Sequence, residues 1–182
     1  MGVGFANRQA MTLEDLLADE LQDLYDAEHQ LVKALPQLAK AAEGDALRAA
    51  FESHLEETRT HLTRLDEVFV LMAAKAAARH CAGIAAIIAE GQKLLAHADV
   101  AGAVRDAGII AGAQKAEHYE ICGYGTCAAW ARTLGLDEVA AKLEETLEEE
   151  RAADQTLNDL AEQEVNISAT HEGSPTAPRT QS

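Results

Sequence analysis

The sequence predicts an all-α fold: a bundle of four long helices, built as two antiparallel hairpins joined by a long crossover that contains a short fifth helix. Composition, apolar periodicity and connection lengths each point there. Apolar residues make up 48% of the 182, but only 4% are aromatic and just three are Pro. Ala and Leu dominate, and both favour helix. The first long segment carries Leu17, Leu21, Leu24, Leu31 and Leu35 at four–three spacing, the stripe of a helix facing a core. Short connections near Gly44 and Gly135 make hairpins of the helices they join.

Each element has its own signals. Thr12 followed by Asp15 caps a first helix that runs to about Glu43, with a kink at Pro36, before Gly44 stops it. Asp45 caps a second helix, to about Ala73. "KAAARHC" loses the pattern. "CAGIAAIIAEGQKLLAHA" is a short amphipathic segment carrying Ile84, Ile87, Ile88 and Leu94. A third long helix spans about Val100 to Leu134 and ends at Gly135. Asp137 caps the fourth, to about Glu164. The second and third long helices are separated by roughly 27 residues, too many for a tight turn, so these two helices run parallel across one crossover. Two hairpins with one crossover is the ferritin-like arrangement. Residues 1–11 read as a flexible start, 12–166 as the helical domain, and the polar, Pro-bearing 167–182 as a disordered tail.

Charge excludes some functions. Asp and Glu number 31 against 15 Lys and Arg, a formal −16, which repels phosphate backbones and anionic lipid. Neither nucleic acid nor membrane is an expected partner. No apolar run has signal-peptide or membrane-spanning length. Cys81, Cys122 and Cys127 are odd in number and form no C-x-x-C pair, which suits a reducing cytoplasm.

Against this background, "HLEETRTH" at 54–61 is anomalous. At ~100° per residue, His54, Glu57 and His61 fall within about 60° of one another. Their stripe is occupied before and after by Leu47, Phe51, Leu65 and Val68. The other long helices repeat the pattern. Glu28 interrupts the first Leu seam. Glu117 and Glu120 separate Ile110 and Ala113 from Tyr124 and Cys127. Glu150 and Asp154 separate Leu143 and Leu147 from Leu157. Taken singly, each has an ordinary explanation: a solvated Glu flank, a satisfied core histidine, and Tyr25, Tyr124 and Met72 as packing residues. Four coincidences at similar depth need a common cause, because a buried ionised carboxylate costs several kcal/mol without compensation. No base sits at matching depth on the seams, since Arg59 and Lys115 fall off phase. Two divalent cations would neutralise Glu28, Glu57, Glu117 and Glu150. Carboxylates with imidazole suit iron first, with manganese or zinc as alternatives.

Several segments also resemble one known family. "YDAEHQLVKALPQLAKAA", "AFESHLEET", "CAGIAAIIAEG", "DAGIIAGAQKAEHYEICGYGT" and "LEETLEEERAADQTLNDLA" are similar, in matching order, to the YciE/YciF-type ferritin-like stress proteins. The resemblance covers about Thr12 to Asn166. It implies a four-helix ferritin-like fold, a homodimer and a rubrerythrin-like dinuclear metal site. "EHYE" resembles the paired Glu of the third rubrerythrin helix and assigns Glu117 and Glu120 to the metal; Glu28 matches the single Glu of the first helix. A strict Glu-x-x-His is absent from the second helix, where Arg59 and Thr60 stand, and from the fourth, where Asp154 follows Glu150 by one turn.

The expected metal ligands are thus Glu28, His54, Glu57, His61, Glu117, Glu120, Glu150 and Asp154. The two imidazoles lie ~10 Å apart along the axis, against ~3.5–4 Å for a metal pair. Only one is therefore expected to coordinate, and the resemblance around "HLEET" favours His54. The expected function is a dinuclear metal-binding stress protein that reduces peroxide or O₂. The alternative is a non-catalytic iron-handling or structural stress protein whose metal site stabilises a dimer.

Overall fold

The computed structural model describes residues 11–172. Four long helices carry the fold: α1 (Leu13–Ala41), α2 (Asp45–Leu71), α4 (Gly102–Thr133) and α5 (Asp137–Leu160). The short α3 (Ala82–Leu95) lies in the crossover between α2 and α4. α1 packs on α2 and α4, and α5 packs on α4 and α2, so the long helices close a ring around one axis.

Contacts at the bundle ends fix the topology. The crossover leaves α2 beside the start of α1, where Arg79 N–H donates to the Gln22 carbonyl at 3.1 Å. It delivers α4 beside the α1–α2 turn, where the Asp106 carboxylate accepts from Glu43 N at 3.0 Å and Gly44 N at 2.8 Å. α2 and α4 therefore start at the same end and run parallel, as the connection lengths require. Thr12 caps α1 in a reciprocal capping box with Asp15. Gly135 takes φ 75°, the left-handed conformation that lets the chain turn from α4 into α5.

Three boundaries differ from expectation. Asp45 and Asp137 are the first helical residues of α2 and α5, not their caps; Gly44 and Leu136 hold the cap positions without a side-chain hydrogen bond. For α2 the missing cap comes from another helix. Asp106 is 3% exposed and takes the backbone N–H groups that end α1 and open α2. Asp106→Ala is expected to lower stability by about 2 kcal/mol, read as a shifted urea midpoint at unchanged slope. At the other end, α5 passes through a single wider π-turn (Ala161–Val165) into α6 (Asn166–Glu172). Helix thus continues past Ile167, where the tail was expected to begin, because Ala161 and Val165 pack on the core and carry the chain along the bundle. Residues 1–10 and 173–182 of the expected flexible ends lie outside the described residues.

The apolar core is split into two blocks. One gathers Leu31, Leu35, Leu47, Phe51, Ile84, Ile110 and Leu157. The other gathers Leu17, Leu21, Leu24, Leu65, Phe69, Leu143 and Leu147. Between them lies a layer of acids and imidazoles.

Candidate metal centre

Helical period places this layer. On each long helix a run of core residues stops, polar residues take the inward phase for one or two turns, and core residues resume. Glu28 comes from α1, His54 and His61 from α2, Glu117 and Glu120 from α4, and Glu150 from α5. Glu28, His61, Glu120 and Glu150 are fully buried, Glu117 is 3% exposed and His54 6%. Gly123 assists by letting α1 approach α4 closely: a Cβ there would meet Leu24 Cδ2 at 2.8 Å. Thr58, between the two histidines, is satisfied by its own helix, donating to the His54 carbonyl at 2.8 Å.

The side chains form two overlapping groups. His54, Glu117, Glu120 and Glu150 each offer one donor atom within a 4.8 Å set, and so do Glu28, His61 and Glu150. Glu150 belongs to both. Its Oε1 lies 3.0 Å from His61 Nδ1, and its Oε2 lies 3.7 Å from His54 Nε2. His54 Nε2 is 3.4 Å from Glu117 Oε1, and His61 Nδ1 is 3.3 Å from Glu28 Oε1. Many inward atoms remain without a hydrogen-bond partner: Glu28 Oε2, His61 Nδ1, Glu117 Oε2, and both oxygens of Glu120 and Glu150. Buried polar atoms are normally satisfied, so a cluster of orphans facing one another marks a place for something else.

The electrostatics agree. Burial, and then the neighbouring acids, push the Glu120 carboxyl well above the usual carboxylate range. Burial also lifts Glu117, against the opposing pull of His54, and lifts Glu150 against His61. Burial alone would lower His61, but the close Glu150 and Glu28 carboxylates override it and raise its pKa to about 10. The layer without cations holds protons it would release in water.

Each imidazole turns one nitrogen inward and rests the other on an outer acid. His61 Nε2 lies 3.0 Å from Glu149 Oε2, and His54 Nδ1 lies 3.3 Å from Glu57 Oε2. A carboxylate only accepts, so the outer nitrogens donate to Glu149 and Glu57; a cation entering the layer would displace the inner protons and meet the inner lone pairs. Glu149 is itself held by Arg64, which donates to it from Nη1 at 2.7 Å, to Thr146 Oγ1 at 2.6 Å and to Glu145 Oε1 at 3.0 Å. Here the expectation of no base at this depth fails. Helical side chains lean toward the N-terminus, so Arg64 reaches back over the level of His61. That lean was the signal available in the sequence. Arg64→Met is expected to cost about 2 kcal/mol, read by chemical denaturation, with most of the loss recovered by Arg64→Lys if charge alone matters.

Two expected ligands stand outside. The Glu57 side chain is 44% exposed and touches the layer only through His54, because the buried stripe of α2 is His54, Thr58 and His61. Asp154 accepts from Gln114 Nε2 at 3.2 Å and lies 3.5 Å from His118 Nε2, on the outer side of the α4–α5 seam. Both histidines face the layer, where only one was expected to coordinate. The rings are 6.3 Å apart, centroid to centroid, and lean on the shared Glu150 from either side. Axial rise between backbones overstated their separation. Tyr124, expected as packing, donates its hydroxyl to Glu28 Oε1 in a short hydrogen bond. Tyr25 instead donates to Asp66, away from the layer.

Known proteins share this architecture. The family described as "Domain of unknown function (DUF892)" matches residues 12–170. Protein YciF of Escherichia coli (strain K12) is 43% identical over 159 residues, 87% of this chain and 95% of that one. The crystal structure of the E. coli stress protein YciF aligns with TM-score 0.83 over 86% of this chain and 99% of its own. YcfI from Rhodopseudomonas palustris aligns at 0.79, with 42% identity over 85% and 98%. A ferritin-like, diiron-carboxylate protein from Bacillus anthracis str. Ames aligns at 0.62 with 17% identity, over 83% and 99%, and so shares the fold. With ring closure, crossover and likeness in agreement, the chain belongs to the YciF-type family of ferritin-like helical bundles.

Proposed function

We propose that the buried layer binds two divalent cations, iron first and manganese or zinc as alternatives, and that the protein loaded with iron or manganese reduces peroxide or O₂. The observation that carries this reading is the convergence of unpartnered, buried oxygens from α1 and α4 on those of Glu150. Glu28, Glu117, Glu120 and Glu150 carry four negative charges when ionised, and two divalent cations balance them. Glu28, His61 and Glu150 would hold one ion; His54, Glu117, Glu120 and Glu150 the other. The donors are oxygen and imidazole nitrogen without thiolate, which favours iron or manganese.

A bound Fe(II) pair would supply two electrons, enough to take peroxide to water or O₂ to peroxide. The chain supplies the rest. Glu149 and Glu57 orient the two imidazoles. Tyr124 holds a proton at Glu28 beside the centre, and burial keeps that phenol protonated far above its ordinary range. A vestibule of mixed lining between α2 and α5, where Ser53, His54, Glu57 and Thr156 stand beside Phe51 and Leu157, gives cations and polar oxidants a way in to Glu117. The overall −16 charge raises cation concentration at its mouth.

Protein loaded anaerobically with Fe(II) and desalted is expected to retain about two ions per chain and to consume added hydrogen peroxide. Fewer than one ion per chain would end the metal reading. Two ions without turnover of peroxide or O₂ would make the layer an iron-handling or structural site instead.

A further inference from the structure

We propose that the apolar cavity between α1, α3 and α4 is a binding site for a small apolar gas, dioxygen being the natural occupant, and that it opens on Glu117. The cavity holds about 50 Å³ and is walled by Leu31 and Leu35 of α1, Ile87 and Ile88 of α3, and Ile109 and Ala113 of α4. The exposed Gln37 and Gln92 stand at its outer side. Its one charged wall is Glu117, which is 97% buried and whose Oε2 has no hydrogen-bond partner.

The lining selects the occupant. A water needs roughly 10–15 Å³ and two to four polar partners, whereas apolar cavities stay dry and take up xenon or small hydrocarbons. This cavity has the room but offers polar partners only at its two ends. Hydrated cations and hydrogen peroxide are disfavoured in it because they would give up hydrogen bonds without replacement. Dioxygen forms none worth keeping. Glu117 also lines the vestibule of mixed lining between α2 and α5, whose Ser53, His54, Glu57 and Thr156 offer the hydrogen bonds this cavity lacks. One buried carboxylate thus separates an approach with polar partners from an apolar approach without them. Polar and apolar reactants reach the same residue by different routes.

Xenon is the probe, applied to the full chain without metal, by pressurised crystallography and by ¹²⁹Xe chemical-shift titration. One xenon in the cavity is expected for the wild type. Ala113 is 6% exposed and faces this space, so Ala113→Leu fills it and is expected to weaken xenon binding at least about tenfold, a change of roughly 1.4 kcal/mol. Ala34→Val, a smaller addition on the opposite wall, gives an intermediate loss and serves if the leucine variant does not fold. A wild-type cavity empty of xenon under pressure overturns the proposal, and so does equal binding by the filled variants. A second arm rests on the metal centre proposed above. In Fe(II)-loaded protein, the filled variant is expected to slow oxidation by dissolved dioxygen about tenfold and to leave oxidation by hydrogen peroxide unchanged; equal slowing of both overturns the separate routes. Failure of the wild type to bind iron would sink the metal reading alone, since the xenon arm is read without it.

Discussion

Glu150→Ala is expected to abolish tight binding of both cations, a larger loss than any other single substitution in the chain. The reason is its position. The two candidate ligand groups share only Glu150, with one oxygen toward His61 and the other toward His54. Removing it takes a donor and a charge from each ion at once. Affinity at both positions is expected to fall by about a hundredfold or more, roughly 2.7 kcal/mol each. Glu28→Ala strikes only the group with His61 and is expected to leave one ion per chain. Glu57→Ala removes no inward donor but frees the His54 ring, and is expected to weaken only the ion held with His54, by about tenfold, roughly 1.4 kcal/mol. Elemental analysis of the three variants after identical loading, with calorimetric titration for affinity, gives the ordering. Two ions retained by Glu150→Ala would show that the groups do not share a bridge.

That ordering could not have been written from the sequence, although much of the fold could. The Leu seam of α1 is legible because every member is core, and Glu28 stands out as the one acid inside it. The same reasoning finds Glu150 between Leu147 and Leu157. It also finds Glu117 and Glu120 on α4, whose wide buried arc meets α1, α3 and α5. It fails where the buried arc of a helix is narrower than one stripe. The arc of α2 is narrower around His54, Thr58 and His61, which leaves Glu57 half outside. Asp154 is drawn to Gln114 and His118, partners on a different helix that no local pattern on α5 reveals. Asp106 is hidden for the same reason: its partners are the backbone of Glu43 and Gly44, far away in the chain. Periodicity reads the stripe of one helix. It does not read which neighbour meets the edge of that stripe.

The second large effect is on stability, and its sign depends on whether metal is present. Metal-free protein is expected to melt at progressively lower temperature as pH rises from about 5 to about 10, falling by roughly 5–10 °C. Burial holds Glu117, Glu120 and Glu150 above the 4.5 of an ordinary Glu, so the folded chain keeps protons there that the unfolded chain has released. His61 acts in the same direction between 6.5 and about 10. In both cases the folded state binds more protons, and its stability is lost as pH rises through the folded pKa. Glu149, which burial would raise but Arg64 and then His61 hold below the ordinary range, has the opposite sign but loses its contribution only in acid. Repulsion across a chain of formal charge −16 also grows with pH, so a control is needed. Glu117→Gln with Glu120→Gln removes two of the buried titrations without touching the surface, and is expected to flatten the slope and raise the metal-free melting temperature near pH 8. Adding Fe(II) or Mn(II) to the wild type is expected to reverse the trend over pH 6–8, because cations bind the deprotonated ligands and their hold strengthens as protons leave. The double variant is expected to lose that reversal. Melting scans in chelator and in excess metal across this range decide it: a flat metal-free profile, or an unchanged slope in the double variant, would mean that the buried layer is not where the protons are held.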